Sequence, residues 1–80
     1  NVNVQVYPNP ATNVINVLAP ERAIVELTDL AGRAVMISTM VNANQKQEIN
    51  VENLANGMYM LKVYNENFVS TQRVVVDNNK

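Results

Sequence analysis

Two prolines separated by a single residue, Pro8 and Pro10, constrain the fold of this chain more than any other feature. Proline lacks a backbone N–H and fixes φ, so a central strand cannot continue through such a pair. Each proline also favours extended geometry at the residue before it, here Tyr7 and Asn9. The pair lies between two runs rich in valine and isoleucine. The sequence therefore predicts a rigid corner between two strands, with Tyr7 packed over the end of the core.

Apolar and polar residues alternate with a period of two along much of the chain, which is typical of half-buried strands. The alternating stretches are Val2–Val6, Ile15–Val17, Val25–Thr28, Ile49–Val51, Tyr59–Tyr64 and Arg73–Val76. Segments rich in turn-forming residues separate the runs, at Pro8–Thr12, Ala19–Glu21, Asp29–Arg33, Asn42–Asn44, Glu52–Gly57 and Asn65–Asn67. Breaks at this spacing predict an all-β sandwich of about seven strands. A helix over residues 19–30 is the competing interpretation, but Pro20 and the β-branched Ile24 and Val25 argue against it.

Length and composition narrow the range of possible functions. The 80 residues allow one domain, and a hydrophobic content of 48% is enough for a core. The chain has no cysteine and no histidine, which removes disulfides and the commonest metal ligands and general bases. A formal net charge of −1 argues against binding to a nucleic-acid backbone. Because the sequence does not begin with methionine, we expect residues 1–80 to be a single domain cut from a longer protein.

The residues offer no evident catalytic or metal site. Ser38 and Ser70 have no histidine to activate them, and the carboxylates are scattered over turns and polar strand faces. Asp29 is interpreted as a turn-shaping side chain that bonds to nearby backbone, in preference to a metal ligand. Gly32 is expected to supply a positive φ in the same turn. The sequence therefore predicts neither an enzyme nor a cofactor.

Several apolar residues lie in or beside turns. Leu30 and Leu54 are predicted to be core residues that close the open ends of the sandwich, and Tyr59 shares the apolar phase of its strand. Met58 and Met60 have the opposite phase, so they either form an outward contact surface or lie under a neighbouring loop.

The aromatic residues Tyr64 and Phe68 flank the sixth turn, where two interpretations remain open. Exposed aromatic rings on one surface are typical of sugar binding, which would make the chain a carbohydrate-binding accessory domain. Packing at the rim of the core is the simpler alternative.

The chain resembles the C-terminal sorting domain of the type IX, or Por, secretion system of Bacteroidetes over nearly its whole length. The segments that carry the resemblance are Tyr7-Pro8-Asn9-Pro10-Ala11-Thr12 with the Val14–Val17 strand, Val25–Arg33 with its Asp29-Leu30-Ala31-Gly32-Arg33 turn, Ile49–Val51 with Leu54 and then Gly57-Met58-Tyr59 through Val63, and Arg73–Val76. The family often ends in a short basic tail, whereas here Lys80 is the only basic residue after Val76.

The resemblance implies an immunoglobulin-like antiparallel β-sandwich and a sorting function. Such domains are recognised by the type IX outer-membrane translocon and its shuttle as a signal for crossing the outer membrane. A sortase-like transpeptidase then cleaves the domain and attaches the preceding cargo to the cell surface. The implied location is the periplasm in transit to the outer membrane, the cell surface or the medium. The alternative is an immunoglobulin-like spacer or adhesion module that has no sorting role.

A sorting signal needs a surface that a receptor can bind. A terminal strand at a sheet edge offers backbone groups to a partner strand, and basic side chains add charge complementarity. The residues predicted to be recognised are Lys62, Arg73, Val74, Val75, Val76 and Lys80. Open edges also make a weak or strand-swapped homodimer an expected partner state.

Overall fold

Seven β-strands arranged in two antiparallel sheets make up the fold, in a computed structural model that describes residues 3–8 and 11–77. The strands are β1 (Gln5–Tyr7), β2 (Val14–Leu18), β3 (Ala23–Thr28), β4 (Thr39–Val41), β5 (Gln47–Asn50), β6 (Gly57–Tyr64) and β7 (Val69–Val76). No helix occurs within the described residues, so the predicted all-β sandwich is confirmed. Among the motif residues singled out from the sequence, Asn9, Pro10 and Lys80 lie outside the described part of the chain.

The two sheets are assembled from strands that are distant in sequence. One sheet has the order β1-β2-β5, and the other has the order β4-β3-β6-β7. The chain therefore changes sheets between β2 and β3, between β4 and β5, and between β5 and β6. A parallel bridge between Ala11 and Val76 joins the corner after β1 to the end of β7. This bridge ties the beginning of the described chain to its end.

Alternate residues of every long strand fill the space between the sheets. On β6 the inward residues are Tyr59, Leu61 and Val63, and on β3 they are Ala23, Val25 and Leu27. Ile15 and Val17 of β2 and Val74 and Val76 of β7 complete the centre of the core. Tyr59 is buried as predicted, and its hydroxyl donates a hydrogen bond of 2.5 Å to the carbonyl oxygen of Ala55. The core is thus built from aliphatic side chains and one tyrosine whose hydroxyl is hydrogen-bonded.

Two predicted core contacts are wrong. Leu30 is 63% exposed, although Leu54 does pack against the core as expected. The turn that contains Leu30 is held by its own hydrogen bonds, so it does not need an apolar anchor. Tyr7 is 41% exposed and does not cover the end of the core. Val4, just before β1, is buried and Val6 within β1 is half-buried, so the alternation places Tyr7 on the opposite face.

The last strand is longer than its apolar residues indicate. The sequence predicted a terminal strand over Arg73–Val76, whereas β7 begins at Val69 and pairs with β6 along its whole length. Its first half carries polar residues on the inward phase, where Ser70 and Gln72 are half-buried. The Gln72 side-chain amide donates a 3.0 Å hydrogen bond to the carbonyl oxygen of Val4. The prediction relied on apolar residues at inward positions, and it missed the first half of β7 because Ser70 and Gln72 occupy those positions.

Two leucines provide a matched test of this core. Leu61 is fully buried, so Leu61→Ala should lower the free energy of unfolding by about 2–5 kcal/mol through lost burial and a residual cavity. Leu30→Ala removes the same atoms from an exposed site and should change it by no more than about 0.5 kcal/mol. Urea denaturation followed by circular dichroism measures both. Equal losses in the two variants would contradict the described core.

Candidate functional site

The four-stranded sheet has one side that faces away from the core, and we call this side the outer face. Its residues share the strand phase opposite to the core. They are Met40 on β4, Ile24, Glu26 and Thr28 on β3, Met58, Met60, Lys62 and Tyr64 on β6, and Val69, Thr71, Arg73 and Val75 on β7. All of these residues are exposed or half-buried. The outer face therefore mixes apolar side chains with a few charges.

A charged and aromatic cluster occupies the middle of the outer face. Lys62 pairs directly across the strands with Glu26 on one side and Thr71 on the other. The Lys62 ammonium nitrogen lies 4.8 Å from the centroid of the Tyr64 ring, within the range of a cation–π contact. The Tyr64 hydroxyl donates a 2.8 Å hydrogen bond to Oε2 of Glu26, and this bond raises the pKa of Tyr64. The three side chains fix one another's positions at the centre of the sheet.

The second predicted basic residue lies close to this cluster. Arg73 is exposed and pairs across the strands with Met60, so it lies one row further along the outer face than Lys62. Met58 and Met60 point to the same side, which agrees with the interpretation of an outward methionine surface. Met58 is exposed and Met60 is half-buried. The structure therefore brings Lys62 and Arg73 together beside flexible apolar side chains.

The other predicted recognition residues of β7 have mixed positions. The side chains of Val74 and Val76 are buried in the core, and Val75 is half-buried on the outer face. β7 is an edge strand, but the end of that edge is occupied by the chain itself. The Ala11 N–H donates to the Val75 carbonyl oxygen, and the Asp77 N–H donates to the Ala11 carbonyl oxygen, both at 2.8 Å. Backbone pairing by a partner is therefore blocked at Val75 and Asp77.

A shallow groove of about 410 Å³ lies at one end of the outer face. Ile24, Met40 and Tyr64 line its apolar side, and Arg22 and Glu66 stand at its rim. The adjoining turn is held in place from β3, because the Asn65 side chain donates to the carbonyl oxygen of Arg22 at 2.8 Å. The groove is thus an apolar depression in the row next to Glu26 and Lys62.

Glu21 locks the turn between β2 and β3 to the turn between β6 and β7. Its Oε1 accepts hydrogen bonds from the side-chain amides of Asn67 at 2.9 Å and Asn65 at 3.2 Å. These bonds, with that of Asn67 the stronger influence, hold the pKa of Glu21 below its usual value. Glu21 therefore connects two turns that are far apart in sequence and lie beside the groove.

The aromatic residues of the sixth turn do not form an exposed pair. Tyr64 and Phe68 are both half-buried, and Phe68 packs against the core. The Tyr64 hydroxyl is occupied by Glu26. These positions favour the rim-packing interpretation over a sugar-binding surface.

Asp29 organises the turn between β3 and β4 as the sequence predicted. Its Oδ1 accepts hydrogen bonds from the N–H groups of Ala31 and Arg33, both at 2.9 Å. Its Oδ2 lies 3.2 Å from Nε of Arg33. Gly32 has a φ of 89°, which only glycine adopts readily. The Asp29 side chain therefore stabilises the turn by accepting hydrogen bonds from its backbone and from Arg33.

Neither a metal cluster nor a membrane span is found in the described residues. No group of three acidic side chains there is arranged to hold a metal ion. No helix of residues 3–8 and 11–77 has the length and apolarity to cross a membrane.

Sequence reasoning missed most of the outer face. Ile24, Glu26, Met40 and Val69 were not selected as recognition residues, although all four lie in the same two rows as Lys62 and Tyr64. The strand phase was a usable signal for Glu26, because it alternates with the buried Val25 and Leu27. No sequence signal placed β4 and β7 on opposite sides of the same sheet, since that order depends on the topology.

The Asp29 turn gives a prediction with a defined pH dependence. The N–H of Arg33 is the main cause of a lowered pKa at Asp29, so this carboxyl is more acidic in the folded protein than in the unfolded chain, where the pKa is about 3.9. Its contribution to stability is therefore complete above that unfolded value and is lost as the pH falls through the folded value. Asp29→Ala should lower the urea midpoint at pH 7 and have a smaller effect at strongly acidic pH. An effect that grows on acidification would contradict the assignment.

Comparison with known proteins identifies the family. A model of the secretion system C-terminal sorting domain matches residues 5–77. A search of curated proteins found no match. The matched range contains all seven strands, the Asp29 turn and the outer face. This sorting domain family is not an enzyme family. The chain therefore belongs to the secretion system C-terminal sorting domain family, and it is a sorting signal of type IX secretion.

Proposed function

We propose that the type IX machinery recognises this domain in its folded state, through the outer face of β6 and β7. The observation that carries the proposal is the position of Lys62 and Arg73, which are exposed on adjacent rows of one rigid sheet. Two fixed positive charges beside Met58 and Met60 suit a receptor with an acidic and apolar surface, because charge complementarity orients the encounter and apolar contact adds affinity. Lys80 is a third predicted contact.

Backbone recognition at the β7 edge is a second part of this proposal. Successive residues of a strand direct their backbone N–H and C=O groups to opposite sides. Val75 and Asp77 direct theirs away from β6, towards Ala11. The same alternation directs the groups of Thr71 and Val69 to the outer edge. We therefore propose that a partner strand pairs with β7 at Val69–Thr71. Val74 and Val76 contribute indirectly, because their buried side chains stabilise β7.

Recognition is followed, in this proposal, by removal of the domain. The domain crosses the periplasm folded and is passed by a shuttle to the outer-membrane translocon. A sortase-like transpeptidase then cuts upstream of it and attaches the cargo to the cell surface. The domain itself contributes only a rigid, recognisable shape to these steps. Transit to the outer membrane, the cell surface or the medium follows from the sorting signal alone.

An export assay with charge variants tests the proposed surface. Residues 1–80 are fused to an inert reporter in a host with type IX secretion. Lys62→Gln combined with Arg73→Gln should reduce export at least about tenfold, because two charge-assisted contacts are lost. Lys46→Gln is the matched control, since Lys46 is exposed between β4 and β5, outside the outer face. The control should be exported like the parent.

Folding must be separated from recognition in this assay. Removing residues 71–80 deletes most of β7, including the buried Val74 and Val76, so loss of export would report unfolding as well as loss of the signal. The charge variants avoid this problem, because both side chains are exposed. Circular dichroism of each variant checks the fold. Undiminished export of a folded Lys62/Arg73 double variant would overturn the proposed surface.

A further inference from the structure

The charged and apolar residues of the outer face are arranged so that the face is complementary to a second copy of itself. Its sheet has the order β4-β3-β6-β7, so its midline runs between β3 and β6. Glu26 and Lys62 are cross-strand partners on either side of that midline. Their carboxylate and ammonium groups do not form an ion pair within the described chain, because the Glu26 carboxylate accepts from Tyr64 and the Lys62 ammonium lies over the Tyr64 ring. Both charges keep bonding capacity for another molecule.

We propose that two copies of this domain associate face to face through the outer face, about a two-fold axis parallel to the strands and above the midline between β3 and β6. Such a rotation exchanges the positions of β3 and β6. Glu26 of each copy then lies opposite Lys62 of the other, which gives two symmetric charge pairs. A two-fold axis across the strands would instead place Glu26 opposite Glu26 and Lys62 opposite Lys62. The charge pattern therefore selects a single arrangement.

The apolar residues of the neighbouring row fit the same arrangement. In that row Met40, Ile24, Tyr64 and Val69 lie side by side across the four strands. The rotation places Ile24 opposite Tyr64 and Met40 opposite Val69, so apolar side chains meet only apolar or aromatic ones. Val69 is 63% exposed in the single chain, and it would cover the groove between Met40 and Ile24 in the other copy. The association would thus bury the most exposed apolar residue of the outer face.

The size of the face predicts a weak dimer. Four strands at about 4.8 Å spacing and roughly 7 residues at about 3.3 Å each give a face of about 450 Å² per copy. Stable interfaces bury about 800 Å² on each partner, so this association belongs to the transient class. A transient dimer leaves Lys62 accessible to other partners when it dissociates. The inference concerns the purified chain and does not depend on the proposed export surface.

Single charge reversals at Glu26 and Lys62 test the proposed pairing, because only contacts between two chains can restore association when the two variants are mixed. A copy with Glu26→Lys places two lysines at the midline, and a copy with Lys62→Glu places two glutamates there. Each variant alone should associate at least about tenfold more weakly than the parent, because like charges meet across the interface. An equimolar mixture of the two variants should associate again, since every lysine then faces a glutamate. Within each variant chain, positions 26 and 62 still carry like charges after mixing. Any effect of the substitution on folding therefore persists in the mixture and cannot produce this recovery.

Sedimentation equilibrium over a range of concentrations measures the association. The parent should show a mass that rises from one chain towards two, and Lys46→Glu, remote from the outer face, should behave like the parent. The mixture should recover most of the parent's association. A parent that remains monomeric at millimolar concentration would overturn the proposal. Recovery that is absent from the mixture, or dimerisation that is equal in all variants as strand exchange predicts, would overturn it as well.

Discussion

The burial of alternate residues on β6 is the constraint on which the rest of this domain depends. β6 lies between β3 and β7, and its inward side chains Leu61 and Val63 are almost completely buried. Because the pleat has a period of two, the same burial forces Lys62 onto the outward side. A shift of one residue in register would bury that charge and expose the leucine. The core and the surface that a partner meets are therefore set by one sequence pattern.

Turn chemistry supplies rigidity that a domain of this size cannot obtain from its core alone. An 80-residue chain without cysteine has a small apolar interior and no covalent staple. Asp29 shapes one turn, and Asn65 accepts hydrogen bonds from the N–H groups of Asn67 at 2.7 Å and Phe68 at 3.1 Å in another. Glu21 then ties the second of these turns to the turn before β3. These local hydrogen bonds fix the turns that connect the strands of the four-stranded sheet.

The sequence was sufficient where the cause of a structure is local. The strand alternation, the Asp29 turn and the burial of Tyr59 follow from neighbouring residues, and each was predicted. Leu30 was misplaced because apolar character was taken as burial, whereas the turn satisfies its own backbone. The start of β7 at Val69 was missed because Gln72 is held by Val4, a contact between residues far apart in sequence. The outer face itself depends on β4 and β7 joining one sheet, and pairings of that kind cannot be read from period or composition.

Photo-cross-linking during export tests most directly whether the outer face is what the secretion machinery recognises. A photoreactive residue at Thr71 lies beside Lys62 on the outer face, and one at Glu48 lies on the exposed side of the other sheet. Both positions are exposed, so neither replacement disturbs the core. The account predicts cross-links from position 71 to a component of the type IX machinery and none to it from position 48. Equal cross-linking from both positions, or cross-linking from position 48 alone, would contradict the account.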